Sequence, residues 1–175
     1  MQKYLTPLVI VLALLSPGLL WADTPAKLTD PQIAHIAYTA GNLDVVTARQ
    51  ALAKSSNAAV REFASEMVRD HEAVNAKALE LVKALKVTPE ENATSQALSK
   101  AAEETHKKLA SLDGAAFDRA YVDNEVAFHK TVNGALQSTL IPSAKNEQLK
   151  ALLETGLTLF REHQTHAEHL AAELK

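Results

Sequence analysis

The sequence predicts an all-α protein, an up-down bundle of four long helices. Apolar residues recur at three- and four-residue spacing through four long segments, and the alternation typical of a half-buried β-strand is absent from them. A tight turn separates the first two segments, whereas residues 87–113 form a long connection between the second and the third. Short connections join antiparallel neighbours, and a long one can run the length of a bundle. The predicted topology is therefore a ferritin-like bundle whose long crossover carries one short extra helix.

The first 22 residues are typical of a signal peptide. A basic start is followed by an apolar run over residues 8–15, a Pro-Gly pair and the small residue Ala22. We expect cleavage after Ala22, a linker over residues 23–28 and a helical domain over residues 29–175. An uncleaved membrane anchor is the alternative, although the apolar run is short for a span. The prediction is a periplasmic or secreted protein with no membrane span once the leader is removed.

The mature chain would be mildly acidic and free of cysteine. The full sequence has 18 basic and 21 acidic residues, and the leader contains only Lys3 among them, which leaves 17 basic and 21 acidic residues. Without a basic run, binding to nucleic acid or to an anionic membrane surface is a poor interpretation. The lack of cysteine excludes disulfides, thiolate metal ligands and a cysteine nucleophile. Whether the protein forms a homo-oligomer, and which proteins it contacts, stays open.

The first two long helices are predicted to form an antiparallel pair. Thr29 or Asp30 can cap the first helix, and Pro31 suits its first helical position. The segment of residues 55–57, Ser-Ser-Asn, ends this helix and caps the second with almost no loop. The second helix should continue to about Lys86, because a Val-Thr-Pro segment follows.

The rest of the chain contains a short helix within the crossover and two more long helices. We expect the short helix at about residues 95–110, before an Asp-Gly pair breaks the chain. Apolar residues from Phe117 to Leu140 mark the third long helix, and Pro142 is expected to start the next turn. The fourth long helix carries its apolar face from Leu149 to Leu174.

Titratable residues interrupt the inner faces of all four long helices. His71 and His129 lie about fourteen and fifteen residues into the parallel second and third helices, so they should sit at similar heights. Asp44, read back across the tight first turn, also falls near mid-bundle. His163 fits less well, because a turn at Pro142 would place it opposite Tyr121 or Glu125.

Inward imidazoles and carboxylates on facing helices can converge on one metal ion. Oxygen and nitrogen ligands without sulfur suit iron, manganese, zinc or copper(II). The alternative is a buried polar network in which the histidines and acids bond one another and specify helix register. The candidate ligands are His71, His129, His163, Asp44, Asp70 and Glu125.

Other patterns in the sequence could also indicate a metal site or a catalytic residue. A di-iron ferritin needs Glu-x-x-His on each of two helices, and the only literal match, Glu103 to His106, lies on the crossover helix, where we expect it in solvent. We interpret His166 and His169 as surface residues that would bind a metal ion only adventitiously. Tyr121 should lie in the core with its hydroxyl bonded to a carboxylate. No nucleophile elbow accompanies the serines, so the sequence supplies no catalytic residue and leaves enzyme activity undecided.

Three segments resemble a widespread bacterial family of exported proteins of unknown function, often labelled outer-membrane proteins: KSSNAAVREFASEMVRDHEAVN, LDGAAFDRAYVDNEVAFHKTV and LFREHQTHAEHL. The likeness covers residues 29–174 and implies a ferritin-like helical bundle in the cell envelope, with no established activity. Asp44 stands where members commonly carry Glu, and Glu125 lies outside the motif. The matching motif positions are Asp70, His71, Phe117, Asp118, Tyr121, His129 and His163.

Two functions are therefore consistent with the sequence. The first is an exported bundle that binds a transition metal at its centre and acts in envelope metal handling or oxidative stress defence. The second is a non-catalytic periplasmic structural or stress interaction protein, in which the inward polar residues form a network without metal. The two differ in whether chelation changes the protein's stability.

Overall fold

The computed structural model describes residues 27–174, and all regular secondary structure among these residues is helical. The predicted signal peptide and nearly all of the predicted linker lie outside the described residues. A π-helical segment, Leu136–Leu140, connects the fourth and fifth helices without a break. The helices are α1 (Asp30–Lys54), α2 (Ala58–Ala84), α3 (Ala93–Ala110), α4 (Gly114–Ala135), the single turn α5 (Ile141–Ser143) and α6 (Glu147–Glu173).

The long helices form two pairs that pack against each other. α1 packs along α2, and α4 packs along α6, while contacts of α1 with α4 and of α2 with α6 join the pairs. The short helix α3 lies in the crossover and packs on α1 and α4. The predicted all-α, ferritin-like up-down bundle with a helix-bearing crossover is confirmed. None of the helices among residues 27–174 has the length and apolarity needed to cross a bilayer.

Side-chain caps fix the ends of α1 and α2 where the sequence predicts them. Thr29 forms a capping box with Gln32, and Pro31 stands in the first turn of α1. The Asn57 side chain accepts hydrogen bonds from the backbone N–H groups of Ala59 and Val60. The end of α1 and the capped start of α2 are separated by only three residues, so the antiparallel pair needs almost no loop.

The prediction that Pro142 starts the turn before the last helix is wrong. Helical structure continues through the π-helical segment and α5 to Ser143, so that Pro142 lies near the C-terminal end of one continuous helical stretch. The Asp30 carboxylate then accepts the backbone N–H groups of Lys145 and Asn146 at 2.8 and 2.9 Å. The turn is therefore centred near residue 145, which shifts the register of α6 against α4.

The core divides into two apolar halves with polar residues between them. One half is built around Phe63, Met67 and Phe117, and the other around Ile33, Leu140 and Leu153. Burying apolar side chains stabilises the fold by roughly 1.5–3 kcal/mol each, so the two halves can hold a polar layer that contributes little by itself. The buried members of this layer include Asp44, His71, Glu125, His129, Asn133 and His163.

Candidate metal centre

Three histidine rings from three helices meet in the middle of the bundle. The centroids of His71, on α2, and His163, on α6, are 5.3 Å apart, and those of His129, on α4, and His163 are 5.4 Å apart. The His71 and His129 centroids are 5.6 Å apart. One nitrogen of each ring lies within 4.8 Å of one nitrogen of each other ring. The three rings therefore surround a common point.

Asp44, on α1, brings a carboxylate to the same point. Its Oδ2 atom lies 3.4 Å from His71 Nε2 and 3.6 Å from His129 Nε2. The two Nε2 atoms are 3.4 Å from each other. We call these three atoms the donor triangle. All three side chains are buried, so water does not screen them from one another.

The distances between the atoms of the donor triangle, 3.4–3.6 Å, agree better with the separation of two ligands of one metal ion than with the length of a hydrogen bond between two ions. A charge-assisted hydrogen bond between imidazolium and carboxylate is about 2.7–2.9 Å long, which is shorter than either contact of Asp44. Ligands at about 2.0–2.2 Å from a tetrahedral ion are about 3.3–3.6 Å apart, whereas octahedral neighbours at the same bond lengths are about 2.8–3.1 Å apart. The observed edges match one face of a tetrahedral site.

Hydrogen bonds outside the donor triangle fix which nitrogen of His129 can bind a cation. His129 Nδ1 lies 3.1 Å from the backbone carbonyl of Glu125, and because a carbonyl only accepts, Nδ1 must carry the hydrogen. The Glu125 Oε2 atom is also 3.6 Å from Nδ1. The neutral ring therefore has its lone pair on Nε2, which belongs to the donor triangle. Support of a ligating histidine by an outer carbonyl is common in metal sites.

His163 is oriented in a similar way by Asp70, on α2. Its Nε2 lies 3.1 Å from Asp70 Oδ2. The pKa of Asp70 is lowered, first by its bond with Arg69, so the carboxylate is ionised and accepts the hydrogen. The other nitrogen, Nδ1, is buried without a hydrogen-bond partner among residues 27–174. His163 is thus a third imidazole, with a free, buried lone pair beside the donor triangle.

Burial keeps the three rings uncharged near neutral pH. It lowers the pKa of His71 well below its ordinary value, and the neighbouring His129 and His163 lower it further. Burial lowers the pKa of His129 to about 4. Burial also lowers the pKa of His163, although its bond to Asp70 opposes the shift. Neutral imidazole is the form that binds metal, so protons compete little for these ligands at pH 7.

The same burial has the opposite effect on the acids. It raises the pKa of Asp44 to about 7. The pKa of Glu125 is raised well above its ordinary value, first by burial and then by the nearby Asp44 charge. Asp44 accepts no hydrogen bond from an N–H group or a hydroxyl among residues 27–174, but a hydrogen bond with the Glu125 carboxyl opposes the rise in its pKa. An ionised Asp44 therefore costs free energy unless a cation compensates it.

Supporting contacts that the sequence did not reveal hold the rings in place. Phe160, one turn before His163, stacks on His71 with ring centroids 4.5 Å apart and planes 10° apart. Asn133 donates from Nδ2 to the Phe160 carbonyl at 3.1 Å and to Gln164 Oε1 at 3.0 Å. Phe160 and Asn133 are not residue types that usually bind metal, so the sequence pattern indicates only an ordinary core position and an ordinary surface position.

The structure places all six predicted ligands in one connected cluster, but they stand at different distances from the donor triangle. Asp44, His71 and His129 form the donor triangle, His163 adjoins it, and Asp70 stands behind His163. Glu125 contributes a ligand atom within 4.8 Å of both Asp44 and His129. The expectation that His163 faces Tyr121 or Glu125 is wrong, because helical structure extends past Pro142 and moves His163 level with His129.

Two expectations about neighbouring residues are also wrong. The Tyr121 hydroxyl is buried without a hydrogen-bond partner among the residues described, since the ring lies between Phe63 and Phe117 at 6.2 and 6.3 Å. His106 is half-buried instead of solvated, and its Nε2 bonds Thr47 Oγ1 at 2.8 Å because α3 packs against α1. Glu103, the other end of the Glu-x-x-His, is exposed and paired with Lys107.

A second potential ligand group begins at the protein surface and ends at the central cluster. Glu66, Asp70 and His163 each offer one ligand atom within 4.8 Å of the others. Glu66 also accepts from exposed His166 Nδ1 at 2.7 Å. Because His163 belongs to both groups, potential ligands are continuous from the solvent-facing side of α2 and α6 to the buried triangle.

Residues 20–170 match the model of a family described as "Domain of unknown function (DUF4142)". The chain belongs to this family. Its fold is similar to that of a DUF305 protein from Streptomyces coelicolor, provisionally described as secreted, with a TM-score of 0.70 and 12% sequence identity. The match covers 82% of this chain and 91% of that one. No curated protein matches the chain.

Membership in the DUF4142 family confirms the expectation of a family of unknown function. At 12% identity the DUF305 protein shows a shared helical fold, and a shared fold does not carry an activity with it. A functional conclusion for this DUF4142 chain therefore rests on the chemistry of its own buried residues.

Proposed function

We propose that this DUF4142 protein is exported and binds one transition-metal ion at the centre of its bundle, where it serves in envelope metal handling. The donor triangle of Asp44 Oδ2, His71 Nε2 and His129 Nε2, with edges of 3.4–3.6 Å, carries this proposal. His163 is the fourth candidate ligand, while Asp70 and Glu125 orient the imidazoles from outside. Export is supported by the leader pattern.

Zinc fits the donor triangle better than manganese or copper(II) does. The edges match a four-coordinate ion, and zinc readily accepts histidine nitrogen and aspartate oxygen in tetrahedral sites. Copper(II) prefers a tetragonal arrangement, and manganese prefers oxygen-rich octahedral ones. Because zinc has no redox chemistry, this fit favours metal handling over oxidative stress defence.

In the metal-free state one proton can form a hydrogen bond between His71 Nε2 and His129 Nε2. His71 Nε2 then donates to the His129 Nε2 lone pair at 3.4 Å. In this polar-network alternative no N–H group or hydroxyl among residues 27–174 donates to buried Asp44, and Asp44 shares a proton with the Glu125 carboxyl instead. A divalent cation would compensate the Asp44 charge and displace the proton between the two nitrogens, and this compensation supports the metal site over the network.

Elemental analysis of protein purified without a histidine tag tests the proposal. We expect about one zinc ion per chain, and removal of the ion by a chelator should lower the melting temperature because metal bound only by the folded state adds to its stability. Substoichiometric metal that is unchanged by His71→Ala would contradict the proposal. So would a melting temperature that the chelator leaves unaltered, which is the result expected of a metal-free polar network.

Asp70→Asn is expected to weaken zinc binding by about 10–100-fold, the usual effect of losing a group that orients a ligating histidine. The amide carries no charge to hold the His163 Nε2 hydrogen, so the ring can turn its lone pair away from the triangle. The measurement is zinc affinity by competition with a chromogenic chelator. Glu72→Gln is the matched control, since Glu72 lies on the same helix and pairs only with exposed Arg49. Equal affinity in both variants would exclude the orienting role of Asp70.

A further inference from the structure

An apolar cavity occupies the half of the bundle next to the histidines. It has a volume of about 280 Å³, and its walls come from α1, α2, α3, α4, the π-helical segment and α6. His71 and His129 line it at the middle of the bundle, and Leu28, Leu140 and Leu149 line it at the bundle end. The cavity therefore runs along the bundle axis, with one polar end and one aliphatic end.

The dimensions of the cavity suit a single aliphatic chain. Its lining on α6 extends from Leu149 to Phe160, eleven steps of about 1.5 Å or roughly 16 Å along the helix. A cavity of about 150 Å³ holds benzene, so about 280 Å³ has room for roughly twice as many non-hydrogen atoms. A volume of this size spread over such a length is long and narrow, which favours a chain over a compact ring system.

The π-helical segment is a second, independent sign of a ligand here. Leu136, Thr139 and Leu140 belong to it and line the cavity. A π-helical insertion costs regular hydrogen bonding and is frequently found at functional sites. Thr139 is exposed, as are the lining residues Thr94 and Thr131. These threonines place the mouth of the cavity between α3 and α4, where a ligand can enter from the crossover side.

Charge selects the head group of the ligand. A divalent ion held by one aspartate and neutral imidazoles leaves a net charge of one positive unit, and a buried net charge is costly. A carboxylate head at the polar end neutralises it, whereas without metal the same head would meet the uncharged His71 and His129 rings there and gain no such compensation. An ammonium head would repel the loaded site, and an alcohol head would leave its charge uncompensated.

We propose that the cavity binds an unbranched aliphatic monocarboxylate of medium chain length, its carboxylate at the metal and its tail toward Leu140 and Leu149. This inference rests on the proposed function, because the metal supplies the positive charge. The apolar walls contribute the binding free energy of the tail, and the metal decides which head group is accepted.

Calorimetric titration with decanoate, an acid with about a dozen non-hydrogen atoms, tests the inference on the chain beginning at Asp23. We expect decanoate to bind the zinc-loaded protein at least about tenfold more tightly than the metal-free protein. At equal chain length, 1-decanol and decyltrimethylammonium should show no such gain. With cobalt(II) in place of zinc, decanoate should shift the visible absorption spectrum, since its oxygen would add a fifth ligand to the four that the protein supplies.

Filling the cavity separates the role of the tail from that of the metal. Ala37 lines the cavity from α1, so Ala37→Leu should weaken decanoate binding at least about tenfold while zinc content stays unchanged. Ala135→Leu, on α4 and also in the lining, is the second variant, and retained zinc reports that either variant has folded. The control is Ala151→Leu, the same substitution at an exposed position of α6.

Equal decanoate affinity with and without zinc would overturn the inference, and so would equal affinity for decanol. Normal affinity in both filled variants would also overturn it. These results leave the metal proposal standing whenever zinc is stoichiometric. Failure of the protein to bind zinc contradicts the proposed function directly, and it is read from elemental analysis before any decanoate is added.

Discussion

Asp44→Asn is expected to abolish zinc binding and, at the same time, to stabilise the metal-free protein at pH 8. The substitution removes the oxygen anion of the donor triangle, which lies 3.4 and 3.6 Å from the two Nε2 atoms. It also removes a buried carboxylate that accepts no hydrogen bond from an N–H group or a hydroxyl among residues 27–174. Loss of function with a gain in stability is the pattern of a residue retained for a ligand and not for the fold.

The sign of the stability change follows from proton binding. Burial raises the pKa of Asp44 from an ordinary 3.8 to about 7 in the folded protein. Between these values the folded state holds more protons than the unfolded state, so stability falls as pH rises. The penalty is absent below both values and complete above pH 7, where it amounts to roughly 4 kcal/mol. The advantage of Asn over Asp should therefore grow between pH 4 and pH 7.

The histidines titrate in the opposite sense and are common to both proteins. The pKa of His129 is lowered to about 4 by burial, so its contribution to stability is lost as pH falls below its ordinary value of 6.5. Comparing Asp44→Asn with the parent at each pH largely cancels this effect. The difference between the two curves thus reports the titration of Asp44 together with that of Glu125, whose pKa the Asp44 charge raises.

Urea denaturation of the metal-free proteins at several pH values provides the measurement. Asp123→Asn serves as the matched control, since Asp123 is exposed and paired with Arg119 on the same face of α4, and surface pairs of this kind contribute about 0–1 kcal/mol. A difference between Asp44→Asn and the parent that does not change with pH would refute the buried, uncompensated state of Asp44. Retained stoichiometric zinc in that variant would remove Asp44 from the ligand set.

His129→Ala is expected to remove most of the stabilisation that zinc gives to the folded protein. His129 Nε2 is the triangle nitrogen whose lone pair is fixed by a hydrogen bond at the opposite nitrogen. Loss of an outer orienting group already costs about 10–100-fold in affinity, so loss of the ligand should cost at least about 100-fold. At a fixed zinc concentration this removes about 2.7 kcal/mol of stabilisation, or roughly 5–10 °C of melting temperature for a domain of this size.

The informative quantity is the zinc-induced shift in melting temperature, because His129→Ala also creates a cavity that destabilises the metal-free state. His169→Ala is the control, since His169 is an exposed histidine near the end of α6. We expect the shift to vanish in His129→Ala and to persist in His169→Ala. The reverse result would assign zinc to the exposed histidines of α6 and would contradict the central site.

The sequence alone predicted the helical bundle and named six candidate ligands, but it did not predict how His163 meets the others. Local and periodic features can be predicted from the order of the residues. They include the caps Thr29 and Asn57, the tight turn between α1 and α2 and the placement of a residue on an apolar helix face. Periodicity assigns a residue to a face of its own helix. It does not give the height of that residue against a neighbouring helix.

Only the tertiary structure decided the register of α6 and therefore the place of His163. That register depends on where the chain turns, and Asp30 fixes the turn from more than 100 residues away by accepting the N–H groups of Lys145 and Asn146. The π-helical segment contributes as well, and it has no periodic signature in the sequence. The donor triangle is likewise a set of distances among three helices, which packing sets to fractions of an ångström and which no spacing along one helix encodes.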